Sequence, residues 1–259
     1  MKGLLKEERQ QQILEALQEN KKVTVTELSQ RYGTSEVTIR RDLADLAASG
    51  RLIRAHRGAL AVASAPPEPP IIQRMTIGRE EKDRIARAAL ELVNEGDSLF
   101  LGSGSTVACF ARYLAGRKKI TVSTNAINIA MELASVELDM VVVVLGGVIR
   151  APELSLLGHI AEQSLSEVRF NKIFMGVQAL SIENGWTTDH LPEVATTRKI
   201  LDMAAELIVL ADHTKLGQTA AAWIAPAVRI TTLVTDAQSE SDFLAHLRAE
   251  GVRVVVAGR

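Results

Sequence analysis

A small α+β head followed by a larger α/β body with a mainly parallel sheet is the fold class this sequence predicts. Three observations lead there. Two short helical patterns stand close together ahead of a basic turn flanked by apolar runs, all within the first 62 residues. A segment holding four of the chain's seven prolines follows, at Pro66, Pro67, Pro69 and Pro70. From residue 77 onward, helical patterns alternate with short apolar runs, the signature of α/β folds.

The head reads in order. A first helix over 6–20 turns Ile13, Leu14 and Leu17 to one face. A short Val23-Thr24-Val25 segment follows. Thr26 opens a second helix that runs through Leu28 to Tyr32, with Glu27 in the first turn, where the helix dipole favours negative charge. Gly33 ends it, since a left-handed residue is wanted there. Ser35 caps a third helix, because its hydroxyl can accept from an unpaired backbone N–H of the first turn. Ile39, Leu43 and Leu46 then share one buried stripe. The opposite face carries Val37, Thr38, Arg40 and Arg41. Residues 50–62 make two short apolar runs around a basic turn, a β-hairpin wing with Arg54, His56 and Arg57 at or near its tip. Helix, turn, helix and wing together form a winged helix-turn-helix.

Such a unit lays its third helix on double-stranded DNA. Two adjacent arginines hold phosphates or read guanine, a hydroxyl takes either role, and a small apolar group touches a thymine methyl. The expected contacts are Ser35, Val37, Thr38, Arg40, Arg41, Arg54, His56 and Arg57. A merely solvated helix face is the alternative, and the agreement of cap, turn glycine, helix pair and basic wing speaks against it. Residues 1–60 hold 11 Lys+Arg and 8 Asp+Glu, while the remainder holds 19 and 23, so a near-neutral chain hides a basic head and an acidic body. An excess of three charges binds DNA weakly in one copy. Two copies on a symmetric operator add phosphate contacts and avidity, so a homo-oligomer, dimer or tetramer, is expected.

Composition sets the outer bounds. At 259 residues the chain divides into a head (1–62), a semi-rigid Pro-rich linker (63–74) and a body (75–259). Aromatics are 3%, so the core is built from Ala, Val, Leu and Ile. The single cysteine, Cys109, excludes an internal disulfide and a cysteine zinc cluster, and it reads as a small buried hydrophobe. No signal peptide is seen and no apolar run reaches the ~18–20 residues that cross a bilayer, so a cytoplasmic protein without a membrane partner is expected.

In the body a helix covers 79–94, a strand 98–101, and a helix runs to about 114. A strand at 120–123 leads to a helix at 125–134, then to a continuous apolar strand at 140–145. A helix at 160–168, a strand at 172–177, a helix at 193–205 and a strand at 207–211 follow. Strands at 230–234 and 252–256 flank a helix at 241–250. Runs such as Val141-Val142-Val143-Val144 suit strands buried on both faces of a parallel sheet. Ligands of such sheets bind at the C-terminal strand ends. The first such loop is Gly102-Ser103-Gly104-Ser105-Thr106, where small residues let backbone N–H groups converge, hydroxyls add donors and a helix N-terminus follows. That chemistry suits one phosphate. It is neither a Walker A loop nor a dinucleotide fingerprint, since no Gly-Lys-Ser/Thr follows and Val107 stands where the third glycine belongs. Lys215 can neutralise a phosphate, and Asn125, with Asp189 and Glu193 after a Gly185-Trp186-Thr187-Thr188 turn, can bind hydroxyls. His190 and His213, with Asp189 and Asp212, match no known metal-ligand spacing. No cofactor or metal is expected, and no catalytic residue.

Both halves resemble one known family, the DeoR-family transcriptional regulators. In the head the resemblance rests on Thr24-Val25-Thr26-Glu27-Leu28, on the run from Ser35 to Leu43 with its Thr38-Ile39-Arg40-Arg41-Asp42-Leu43, and on the basic wing with Gly58-Ala59. In the body it rests on residues 102–106, Thr124-Asn125, Gly146-Gly147 and the Asp-x-Thr-Lys-x-Gly form of residues 212–217, where Thr214 replaces the usual serine. The resemblance implies a repressor of a carbohydrate-catabolic operon. It also implies a body similar in fold to ribose-5-phosphate isomerase that senses a phosphorylated sugar.

The rival reading is an active sugar-phosphate isomerase fused to a DNA-binding head. Isomerisation requires a positioned carboxylate base. The isomerases carry Asp-Gly-Ala-Asp where this chain has Met175-Gly176-Val177-Gln178-Ala179, and Thr-Arg-Glu-Lys where it has Thr196-Thr197-Arg198-Lys199. Only Asp189 and Glu193 remain to supply a base. Binding retained with chemistry lost is the pattern of a sensor.

Overall fold

The computed structural model describes residues 6–20, 22–48, 52–55, 58–61, 68–135, 140–203 and 205–258, with the backbone alone for 7, 18–20, 22, 48, 53–55 and 58–61. The chain divides into two units, Met1–Ser64 and Ala65–Arg259.

In the first unit α1 (Lys6–Asn20), α2 (Val25–Tyr32) and α3 (Glu36–Ala48) close around Ile13, Leu17, Val25, Leu28, Ile39, Leu43 and Leu46. Strands β1 (Lys22–Thr24), β2 (Leu52–Ala55) and β3 (Gly58–Ala61) form an antiparallel sheet in the order β1-β3-β2. Helix α2 starts earlier than expected, because Thr24 and not Thr26 is its cap. The Thr24 hydroxyl accepts from the Glu27 N–H at 3.2 Å, and the Glu27 carboxylate accepts from the Thr24 N–H at 2.9 Å. This reciprocal pair is a capping box, and its Thr-x-x-Glu spacing was there to be read. Thr26 instead donates to Glu36 at 2.9 Å, tying α2 to the first turn of α3. Gly33 closes α2 at φ 58°, as its position requires.

The second unit opens with α4 (Ile71–Arg74), α5 (Arg79–Leu90), β4 (Ser98–Leu101), α6 (Ser105–Tyr113), β5 (Ile120–Thr124) and α7 (Ile127–Ala134). Next come β6 (Met140–Val144), β7 (Val148–Arg150), β8 (Ser155–Leu157), α8 (His159–Ser164) and β9 (Lys172–Gly176). Then follow β10 (Ala179–Ser181), β11 (Gly185–Thr188), α9 (Glu193–Leu201), β12 (Glu206–Leu210) and β13 (Ala222–Ala225). The chain ends with β14 (Thr232–Asp236), α10 (Ser241–Ala249) and β15 (Arg253–Ala257).

Seven of these strands make one sheet in the order β15-β14-β12-β9-β4-β5-β6, every pairing parallel. Side chains alternate between its faces. Leu99, Leu101, Phe174, Ile208 and Leu210 pack with α5, α6 and α7 through Ile85, Ala89, Phe110 and Ile129. Phe100, Ile173, Met175, Leu207 and Val209 pack on the other face with Val194 and Ile200 of α9 and with Phe243, Leu244 and Leu247 of α10. The chain leaves β4 toward β5 and β6, then returns to β9 on the opposite side of β4. That reversal between β4 and β9 is the topological switch point, where the flanking loops diverge and leave a crevice at the C-terminal strand ends.

Four expectations are corrected. Residues 141–144 are not buried on both faces: β6 is the edge strand, and Val141 is 60% exposed and Val144 49%. The helix expected from 125 begins only at Ile127, because Ala126 makes an antiparallel bridge to Ser155. The turn expected at 185–188 is a strand of a second, antiparallel sheet, β10-β11-β13. Finally, 68–74 do not serve as linker. Ile71 is buried and its N–H donates to the Pro152 carbonyl at 2.8 Å, so this stretch packs within the second unit.

Candidate functional site

In the first unit, the outward face of α3 is built as its stripe requires. Ser35 accepts from the Thr38 N–H at 3.2 Å and shares a 2.9 Å hydrogen bond with the Thr38 hydroxyl, so both hydroxyls brace the helix start. Val37 is 70% exposed, an apolar group held in water with no core to fill. Arg40 leans back to Glu36 at 3.4 Å. Arg41 is exposed and makes no ion pair among the described residues, so its guanidinium is available without breaking anything. Asp42, the next residue, points the other way: it is 2% exposed and accepts from Arg9 Nε of α1 at 2.6 Å. The backbone of Arg54 lies in β2 opposite Ala59. The Arg54 side chain, and His56 and Arg57 entirely, lie outside the described residues.

In the second unit, the switch point opens a cleft. Seven of the expected ligand residues line it: Ser103, Gly104, Ser105, Thr106, Asn125, Glu193 and Lys215. Gly102 does not. Its N–H donates to the Phe174 carbonyl at 2.9 Å, and a Cβ there would lie 2.0 Å from Met175 Sδ, so glycine is kept by close approach. Asp189 does not line the cleft either. It is exposed, accepts from Gln178 Nε2 at 2.5 Å and from the Ala221 N–H at 3.3 Å, and so fastens β10–β11 to the chain before β13.

The loop after β4 enters α6 through Gly104 at φ 134°. No hydrogen bond engages the side chains of Ser103, Ser105 or Thr106 among the described residues, although Ser105 and Thr106 are each 7% exposed. Backbone N–H groups of the first turn of α6 point the same way, with the positive end of the helix dipole behind them. Asn125 is 4% exposed. Its Nδ2 donates to the Leu156 carbonyl at 3.2 Å, while its Oδ1 is buried with no partner among the described residues. A buried acceptor left unmatched costs roughly 1–3 kcal/mol, which a ligand hydroxyl would recover.

The remaining lining was not anticipated. Arg74, 7% exposed, pairs with Glu153 and, at 3.1 Å, with Glu68; its Nε donates to the Pro69 carbonyl at 3.0 Å. Lys215 Nζ lies 2.6 Å from the same Glu68 carboxylate. Arg150 pairs with Glu193, whose other oxygen accepts from the Thr188 hydroxyl at 2.6 Å. Burial pushes the Glu153 carboxyl above its ordinary range, and Arg74 opposes that rise. His190 is held below its ordinary value by burial and by Arg150. His213 turns to Asp236, 3.2 Å from either carboxylate oxygen. No group of His, Cys, Asp and Glu among the described residues has the arrangement of a metal site. Arg74 and Glu153 are 79 positions apart, so no local pattern announced them. The readable clue was a charged pair, Glu68 and Arg74, bracketing two prolines and two isoleucines in a stretch otherwise read as tether.

Comparison with known proteins follows the same division. Residues 9–65 match the model of a DeoR-like helix-turn-helix domain, and residues 78–237 that of a DeoR C terminal sensor domain. A relative from Escherichia coli O157:H7 described as an aga operon transcriptional repressor is 35% identical, over 97% of this chain and 94% of its own. The HTH-type transcriptional regulator GlpR of Haloferax volcanii is 32% identical, over 97% and 98%. The HTH-type transcriptional regulator UlaR of Shigella flexneri is 32% identical, over 96% and 98%. Among solved structures, ribose 5-phosphate isomerase A of Methanocaldococcus jannaschii aligns at 21% identity with a TM-score of 0.40, covering 53% of this chain and 54% of that one.

Proposed function

Because the chain belongs to the DeoR family of transcriptional regulators, we propose that it is a sequence-specific repressor of a carbohydrate-catabolic operon, released from DNA by a phosphorylated sugar. Its role is that of a regulator rather than an enzyme. The observation that carries the sensor half is the loop 103–106. Three unengaged hydroxyls and a helix N-terminus face a cleft that Lys215 and Arg74 also line. The phosphate sits on that loop and the sugar hydroxyls reach Asn125 and Glu193. No carboxylate stands on the loop after β9, where Gln178 is engaged with Asp189 and Thr188, which supports sensing over isomerisation.

In the head, Val37, Arg40 and Arg41 enter the major groove while Ser35 and Thr38 set the start of α3; Arg54, His56 and Arg57 hold the backbone or the minor groove. Two copies grip repeated half-sites in the cytoplasm. The exposed Val141 and Val144 on edge strand β6 support a homo-oligomer, since water-facing valines on a parallel sheet edge invite a second surface. The sugar phosphate favours an oligomer geometry whose heads no longer match the operator, and it shifts the balance only by its differential affinity for the two geometries.

Two substitutions test the halves separately, with fluorescence anisotropy on promoter DNA and a panel of phosphorylated sugars. Arg41→Ala weakens operator binding by about 1–3 kcal/mol, the worth of one good base contact. Unchanged affinity removes Arg41 from the interface. Lys215→Ala abolishes release of the operator by the sugar phosphate. A normal response in that variant moves the phosphate elsewhere.

A further inference from the structure

The cleft is lined by three cations, Arg74, Arg150 and Lys215, and by three carboxylates, Glu68, Glu153 and Glu193. Their formal charges cancel. A phosphate monoester brings about −1.5 to −2 charges at neutral pH, so it meets no net attraction unless a carboxylate yields its place. The three carboxylates are not equivalent. Glu153 is 6% exposed, in the turn between β7 and β8, and its carboxylate pairs only with Arg74 among the described residues. Glu193 opens α9 and is held by both Arg150 and the Thr188 hydroxyl. Glu68 bridges two cations at once, Lys215 Nζ at 2.6 Å and an Arg74 Nη at 3.1 Å. It belongs to no helix or strand, and in sequence it stands four residues after the end of the first unit.

We propose that the Glu68 carboxylate and the ligand's phosphate compete for Lys215 and Arg74, so that ligand binding unfastens the chain just where it leaves for the DNA-binding head. The proposal rests on the reading of the cleft as a phosphate site. Glu68 is the carboxylate suited to yield. It sits in irregular chain between prolines, and behind it Ile71 stays anchored through its buried side chain and its hydrogen bond to Pro152. Displacement therefore loosens residues up to about 70 without disturbing the sheet. The ligand's preference for the released form supplies the differential affinity that an allosteric signal requires. The competition also carries a cost in apparent affinity. A latch closed in about nine molecules of ten weakens it about ten-fold.

The test uses the full chain, inorganic phosphate as probe, and titration calorimetry on the wild type, Glu68→Gln, Lys215→Ala and the double variant. Glu68→Gln keeps the shape and removes the charge. It is expected to bind phosphate about ten-fold tighter than wild type and to bind operator more weakly with no phosphate present. Lys215→Ala should lower phosphate affinity and shrink the gain from Glu68→Gln, since part of Glu68's competition is for Lys215. Equal or weaker phosphate binding by Glu68→Gln, with Lys215→Ala still lowering affinity, leaves the phosphate site standing and overturns the latch. Phosphate binding indifferent to Lys215→Ala in both backgrounds, or absent throughout, overturns the site itself. Glu68→Ala repeats the comparison should the glutamine retain a hydrogen bond to Lys215.

Discussion

Arg74→Ala is expected to destabilise the sensor unit by about 3–5 kcal/mol, the cost of breaking a buried ion pair from one side, and to do so more at about pH 8 than at about pH 5. Arg74 is 7% exposed and is the only cation paired with Glu153, itself 6% exposed, among the described residues. Glu153 already sits above the ordinary carboxylate range, pushed there by burial and restrained by Arg74. A carboxyl whose pKa is higher in the folded chain than in the unfolded one binds its proton better when folded. Its contribution is therefore fully present at low pH and is lost as pH rises from the unfolded value through the folded one. Without Arg74 the folded value climbs further, so the loss continues to higher pH. At low pH Glu153 takes up a proton and the variant recovers part of its stability. Urea unfolding at the two pH values measures this directly. An equal cost at both would mean that the lost hydrogen bonds of Arg74, and not the stranded charge of Glu153, carry the penalty.

The same pair explains what the sequence could and could not convey. Strands such as residues 99–101, 173–175 and 207–210 were legible because a parallel sheet covered on both faces demands unbroken apolar runs. Their alternate partners on the two faces then follow from the pleat alone. The loop 103–106 was legible because its chemistry is local: small residues, hydroxyls and a helix start are contiguous. The other charged lining of the cleft was not, since Arg74 and Glu153 meet only after the chain has built β4, β5 and β6 between them. Strands of three or four residues, such as β7, β10 and β11, fall below the length at which period-two alternation is distinguishable from a turn. Residues 185–188, Gly-Trp-Thr-Thr, have the composition of a turn and the pairing of a strand. Residues 141–144 misled for the opposite reason. A run of four valines states that water is disfavoured and leaves open whether the cover is a helix of the same chain or another surface.

In the head, the largest single effect is expected away from the outward face of α3. Within the Arg40-Arg41-Asp42 run only the arginines point outward; Asp42 is 2% exposed, and Arg9 at 2.6 Å holds it. Replacing Arg9 by methionine fills much the same space but leaves a buried carboxylate without that partner, at a cost of about 3–5 kcal/mol. A unit of some 64 residues has little stability in reserve, so much of it unfolds and operator binding falls with it. Pairing the change with Asp42→Leu removes the stranded charge. Apolar replacement of a whole buried ion pair is commonly neutral or better, so the double variant should refold. Because Val37, Arg40 and Arg41 lie on the other side of α3, it should recover operator affinity together with thermal stability. The decisive readout is the two quantities side by side. A double variant that regains its melting transition yet stays blind to operator would place Arg9 or Asp42 at the DNA. Recovery of both would make Asp42 a clamp between α1 and α3, which affects operator binding only by holding α3 in place.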